Sequence, residues 1–93
     1  MVLIRVKLSG QLGDFTGGAR DVTVESARDI LKLVEALDDR FPGIRGRILD
    51  DQEKARPYVN IFVDGENIRE RQEETTRLAD GNLVYILPSV AGG

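Results

Sequence analysis

Val2, Ile4, Val6 and Leu8 are apolar at every second position, with Arg5 and Lys7 between them. That alternation predicts a half-buried strand. Ser9 to Arg20 carries Gly10, Gly13, Gly17 and Gly18 and reads as a long glycine-rich turn. Val22 and Val24 alternate with Thr23, so a short second strand closes an antiparallel hairpin. Ser26 to Arg40 reads as a helix, with Ser26 as N-cap and Asp29 completing a capping-box-like start. Its apolar stripe is Ile30, Leu31, Val34 and Leu37, and Pro42-Gly43 stops it. Ile44, Ile48 and Leu49 suggest a further short helical turn, and Asp50 to Pro57 a polar loop.

Tyr58 to Val63 is rich in β-formers and ends at the Asp64-Gly65 turn signal. Val59, Ile61 and Val63 share one face; Tyr58, Asn60 and Phe62 share the other. Ile68 should return to the core, while Arg69 to Arg77 is charged and has no clear period. Asp80-Gly81 is a second turn signal, Leu83 to Leu87 a last strand, and Pro88 its end. One helix between two hairpin-like units, covering one sheet face, is an α+β layer arrangement. The best match is the β-grasp, or ubiquitin-like, fold: a mixed sheet whose first and last strands lie side by side and parallel. Residues 1–88 then form the domain and 89–93 a mobile tail. The helix stripe should pack on Val2, Ile4, Val6, Val59, Ile61, Val63, Val84 and Ile86.

Composition narrows the chemistry. Ninety-three residues allow one domain. Thirteen Lys+Arg against 16 Asp+Glu give a net charge of -3, which argues against nucleic acid, because phosphate binding needs clustered positive charge. The chain has no cysteine and no histidine. Thiolate nucleophiles, zinc ribbons, the commonest metal ligand and the commonest general base are therefore all missing. No apolar run reaches the length of a signal segment or a membrane span, so the expectation is a cytoplasmic protein without membrane partners. No phosphate-loop motif occurs, and Gly17-Gly18 opens no helix, so the chain should bind no ATP and no cofactor of its own. Asp38-Asp39, Asp50-Asp51 and Glu73-Glu74 are adjacent pairs whose side chains point apart; they read as solvated charge, not as metal ligands. Arg45 and Arg47 read as surface residues, with contact to an acidic partner as the sharper alternative.

The tail differs. The sequence finishes Val90-Ala91-Gly92-Gly93. With glycine at about 7% of residues, a final Gly-Gly arises by chance in roughly 0.5% of chains. Two residues without Cβ can thread a narrow channel, so the tail can reach into a partner's active site while the domain stays outside. The reactive group is then the main-chain carboxylate of Gly93, ionised at neutral pH and a poor electrophile until a partner activates it. Transfer of AMP from ATP is the simplest activation, and sulfur attack on the acyl-adenylate would leave a thiocarboxylate.

Two segments carry a resemblance. Tyr58-Val59-Asn60-Ile61-Phe62-Val63-Asp64-Gly65-Glu66-Asn67-Ile68-Arg69 resembles the strand-turn signature of the cysteine-biosynthetic carriers within the ThiS/MoaD family of ubiquitin-like sulfur carriers. Leu78 to Gly93 resembles the ending common to that family: an Asp-Gly turn, an apolar strand, proline and Gly-Gly. The N-terminal half matches by pattern only. The resemblance implies a carrier, not an enzyme. It implies an E1-like adenylating partner that uses ATP and Mg, a sulfur donor, and a sulfur-accepting synthase, with a sulfurtransferase or metalloprotease as further candidate partners. Gly93 would bear the sulfur, and Gly92, Ala91 and Val90 would supply passage. The final acceptor stays open between cysteine, thiosugar, thiazole, molybdopterin and other routes.

Phe62, Tyr85 and Leu87, with Pro88 at the strand end, are the expected docking residues, because large apolar groups on an exposed face mark partner sites. Two other readings remain beside the carrier. One is a ubiquitin-like modifier joined to target lysines through Gly93. The other is an interaction module with an incidental Gly-Gly end.

Overall fold

The computed structural model describes residues 2–9 and 12–88. Five strands form one sheet in the order β2-β1-β5-β3-β4. β1 (Leu3–Leu8) pairs antiparallel with β2 (Asp21–Glu25), Val6 opposite Val22. On its other side β1 runs parallel to β5 (Leu83–Pro88), with Val6 opposite Val84. β5 then pairs antiparallel with β3 (Val59–Val63), Ile61 opposite Ile86. The two-residue β4 (Glu66–Asn67) folds back on β3 through Asp64 and Gly65. Their φ values of 48° and 89° are those of a two-residue hairpin turn with both central residues left-handed, which glycine and aspartate tolerate. The arrangement is the β-grasp expected, with the first and last strands adjacent and parallel.

Among the described residues three α-helices pack around one face or its margins: α1 (Gly13–Thr16), α2 (Ile30–Arg40) and α3 (Ile44–Ile48). Period-2 alternation puts Ile4, Val6, Leu8, Val59, Ile61, Val63, Val84 and Ile86 into the core, all buried. Val2 packs against its margin. Ile68 is buried as expected, and the expected short helical turn is α3, which buries Ile44 and Ile48 with Leu49 at its end.

The helix departs from expectation at its start and in its stripe. Ser26 lies at φ 67° and donates its main-chain N–H to Val2 O, so it belongs to the end of the hairpin. The N-cap is Asp29, whose carboxylate accepts the Lys32 N–H at 2.9 Å. The buried stripe is Ile30, Leu33, Val34 and Leu37; Leu31 sits half-buried at its edge. The expected long turn also contains α1, which brings Leu12 into the core and closes on Gly17 in the left-handed region. Gly43, at φ 98°, separates α2 from α3, and Asp38 Oδ1 accepts the N–H groups of Gly43 and Arg45. Asp38 is thus a cap, not merely solvated charge.

Candidate docking face and tail exit

The helices leave the other sheet face open. Its central row runs Asp21, Lys7, Tyr85, Phe62, Asn67, each directly opposite the next across the strands. Leu83 and Leu87 stand above and below Tyr85 on β5, with Leu87 opposite Asn60. Tyr58, Tyr85 and Leu87 are each about two-fifths exposed, and Phe62 is half-buried among them. The sequence analysis placed Tyr58 on this face but did not count it with the docking residues. Its position one residue before Val59, the partner of Pro88, sets it beside the end of β5.

Pro88 does not belong to that surface. Inward residues alternate along β5 as Val84, Ile86 and Pro88, so Pro88 is buried on the core side. The period of two already dictated this parity from Val84 and Ile86. Val90, Ala91, Gly92 and Gly93 lie outside the described residues. The structure therefore bears on the platform that carries them: a central strand, held on both sides, ending at Pro88.

Charged groups frame the apolar cluster of Phe62, Tyr85 and Leu87. On one side Arg5 and Lys7 project from β1, Lys7 pairing with Asp21 at 3.6 Å. On the other side the Arg69 guanidinium donates to Asn60 Oδ1 at 3.0 Å, Val59 O at 2.9 Å and Arg56 O at 3.0 Å. β4 is too short to cover this part of the β3 edge, and Arg69 satisfies the carbonyls there instead. The segment from Arg69 to Arg77, without period in the sequence, folds as two 3-10 turns, Ile68–Glu70 and Glu73–Thr75. Glu74 and Thr76 are buried within it. Glu74 Oε2 accepts the Ala55 N–H at 2.7 Å, and Lys54 Nζ lies 3.6 Å from Glu74 Oε1. The expectation of solvated charge fails at Glu74, because its hydrogen bond to Ala55 is made across 19 residues of sequence.

Asp50, Asp64 and Asp80 staple turns. Asp50 Oδ1 accepts the N–H groups of Lys54 and Gln52; these bonds, the Lys54 one foremost, hold its carboxyl below the usual 3.8. Lys54 is raised above 10.5, chiefly by its hydrogen bond to Glu73. Asp80 Oδ1 accepts the Leu3 N–H, and Asp64 binds Asn82 and the Leu83 N–H. Arg45 pairs with Glu53 at 3.1 Å and Arg47 lies over the Phe15 ring, so both are engaged within the fold. Among the described residues no group of three acidic residues is placed to hold a metal ion, and no helix is long and apolar enough to cross a membrane.

Comparison with known proteins gives the family. The ThiS family pattern matches residues 6–93. The chain belongs to the ThiS family. Sulfur carrier protein CysO of Mycobacterium tuberculosis is 34% identical over 92 residues, 97% of this chain and 98% of that one. The fold agrees with the crystal structure of the Amycolatopsis orientalis BexX/CysO complex at a TM-score of 0.87 and 30% identity, covering 97% of this chain and 99% of that one. Small archaeal modifier protein 3 of Haloferax volcanii is 35% identical over 65 residues, 70% of this chain and 66% of that protein. This ThiS-family chain thus shares most of its length with named sulfur carriers and a shorter stretch with a named modifier.

Proposed function

We infer that the chain works as a sulfur carrier protein with Gly93 as the carrying residue. The observation that carries this reading is the likeness to sulfur carrier protein CysO over nearly the whole of both chains, together with a family match that runs through Gly93. The absence of cysteine and histidine fits it, since the side chains offer no sulfur nucleophile of their own. An adenylating partner, using ATP and Mg, would join the Gly93 carboxylate oxygen to the α-phosphorus and release pyrophosphate. Hydrosulfide would then attack the carbonyl carbon and expel AMP; a persulfide donor attacking in its place would give an acyl disulfide, whose S–S bond a thiol reductant would cleave, leaving the thiocarboxylate and a new disulfide. The product is a thiocarboxylate, whose sulfur an accepting synthase takes.

The open sheet face would dock these partners. An Amycolatopsis orientalis CysO is known in complex with BexX, which supports a protein partner for this chain too. Tyr85, Leu87 and Tyr58 supply exposed apolar area beside the end of β5, so a partner gripping them would have the following residues within reach of its active site.

Intact mass after incubation with a cognate adenylating enzyme, ATP and sulfide tests the reading. The expected product has one oxygen exchanged for sulfur, localised to the C-terminal fragment. Deleting Gly93 withdraws the carboxylate by up to about 3.3–3.6 Å, and misplacement of about 1 Å already costs roughly a hundredfold in rate, so transfer should be nearly lost. Gly92→Val should also fail, through its branched Cβ. An unchanged mass with active partners, or full transfer by the Gly93 deletion, overturns the carrier reading. A second reading, conjugation to lysines through Gly93, takes its support from the small archaeal modifier likeness. Isopeptide-linked Gly93 in digests of cellular protein would favour it.

A further inference from the structure

The apolar residues of the open face give way to polar ones at β4. Beyond it Arg69, Arg71 and Arg77 line one solvent-open cleft with Gln72, Glu73 and Thr75. Three guanidiniums gather there in a chain with 16 acidic and 13 basic residues, where carboxylates are not scarce. Yet little neutralises them. Arg69 is held by neutral acceptors alone. Arg71 reaches only Glu66, at 3.9 Å. Arg77 has no ion pair among the described residues. Glu73, the one carboxylate lining the cleft, is drawn to Lys54 Nζ at 3.4 Å. Arg69 also links cleft and face, because the Asn60 it binds stands directly opposite Leu87.

We propose that this arginine cleft is the charged continuation of the docking face and receives a carboxylate-rich segment of the protein that docks there. The identity of that protein rests on the carrier reading. Guanidinium forks match carboxylates with two parallel hydrogen bonds. Arg69, its terminal nitrogens committed to Asn60, Val59 and Arg56, adds fixed positive charge at the cleft wall, while exposed Arg77 and exposed Arg71, held only by its 3.9 Å contact with Glu66, supply the forks. Nucleic acid fits poorly: the net charge is -3, and a cluster of three arginines is too short a track for a phosphate backbone. A small free anion fits poorly as well, since the cleft is open and none of its lining residues encloses one. A charged margin beside an apolar centre acts mainly on how fast partners meet and in which orientation they settle.

The test uses the full chain and its cognate adenylating enzyme. Arg71→Glu/Arg77→Glu and the milder Arg71→Gln/Arg77→Gln leave Arg69 in place, so the β3 edge stays covered. Association rates are measured over a series of salt concentrations, and sulfur loading of Gly93 at saturating enzyme. The charge-reversed variant should associate about tenfold more slowly at low salt, with the glutamine variant between it and the parent. Both should show a flatter salt dependence and unchanged loading at saturation. A Glu-rich peptide should compete with the enzyme for the parent and not for the charge-reversed variant. Equal rates and equal salt slopes for all three proteins overturn the proposal, as does absence of association by the parent. Competition by millimolar inorganic phosphate but not by the peptide would assign the cleft to a small anion and overturn it too. If the parent binds but never acquires sulfur, the carrier reading fails while the rate comparison still decides the cleft.

Discussion

Glu74 accepts the Ala55 main-chain N–H at 2.7 Å, and through that bond the 50–57 loop is tied to the turn after β4. The carboxylate is nearly enclosed, at 9% side-chain exposure, so the bond is shielded from competing water. Glu74→Leu should strand the Ala55 N–H and cost about 1–3 kcal/mol, read as a lower urea midpoint. Glu74→Gln keeps an acceptor and should lose less. Equal midpoints for the leucine variant and the parent would show that water replaces the carboxylate.

Leu33 of α2 and Ile61 of β3 belong to the same core cluster and are fully buried. Either one cut to alanine should cost about 2–5 kcal/mol, a large share of a domain this small. Leu31→Ala, at the half-buried edge of the stripe, should cost clearly less. Denaturant midpoints at equal slope order the three.

Tyr85→Ala and Leu87→Ala should weaken association with a partner by at least about tenfold while leaving thermal unfolding nearly unchanged. Pro88→Ala should do the reverse, because Pro88 faces the core. Calorimetric titration paired with thermal melts separates the two effects. Unaltered affinity in both β5 variants removes the docking role of the face.

Acid should loosen the 50–57 loop before it unfolds the sheet. The Asp50 carboxyl is held below 3.8 by the N–H groups of Lys54 and Gln52, so its contribution is complete above 3.8 and is lost as pH falls through the lowered value. Asp50→Asn should be less stable than the parent at neutral pH, and the difference should shrink on acidification. Lys54 is raised above 10.5, so its contribution is present below 10.5 and lost as pH rises through the raised value. Urea midpoints across the acid limb, parent against variant, check the first sign. A gap that widens with acid contradicts it.

The strands were legible because each shows its own face: Val59, Ile61 and Val63 alternate so regularly that tertiary context had nothing to override. Helix α2 was legible in type but not in start. Ser26 is a good capping residue by composition, yet its backbone is committed to the hairpin through Val2, on the neighbouring strand's side and distant in sequence. Leu33 was missed because a stripe of four can be drawn through Leu31 as easily as through Leu33, and only packing against the sheet chooses. Helix α1 was hidden by the glycines that close it. Glu74 and Arg69 act through main-chain groups of distant segments, which no local pattern records. At the site, the apolar face followed from strand alternation, whereas the arginine cleft needed the two 3-10 turns to bring Arg69, Arg71 and Arg77 to one place.

β5 lies between β1 and β3, parallel to one and antiparallel to the other, and it is the strand from which the chain continues past Pro88. A pull along that continuation loads two ladders in shear, so their hydrogen bonds resist together instead of opening one at a time. An edge strand such as β2 would peel. Traction on the residues beyond Pro88, as when a tail is drawn back from a partner's channel, therefore meets both ladders at once.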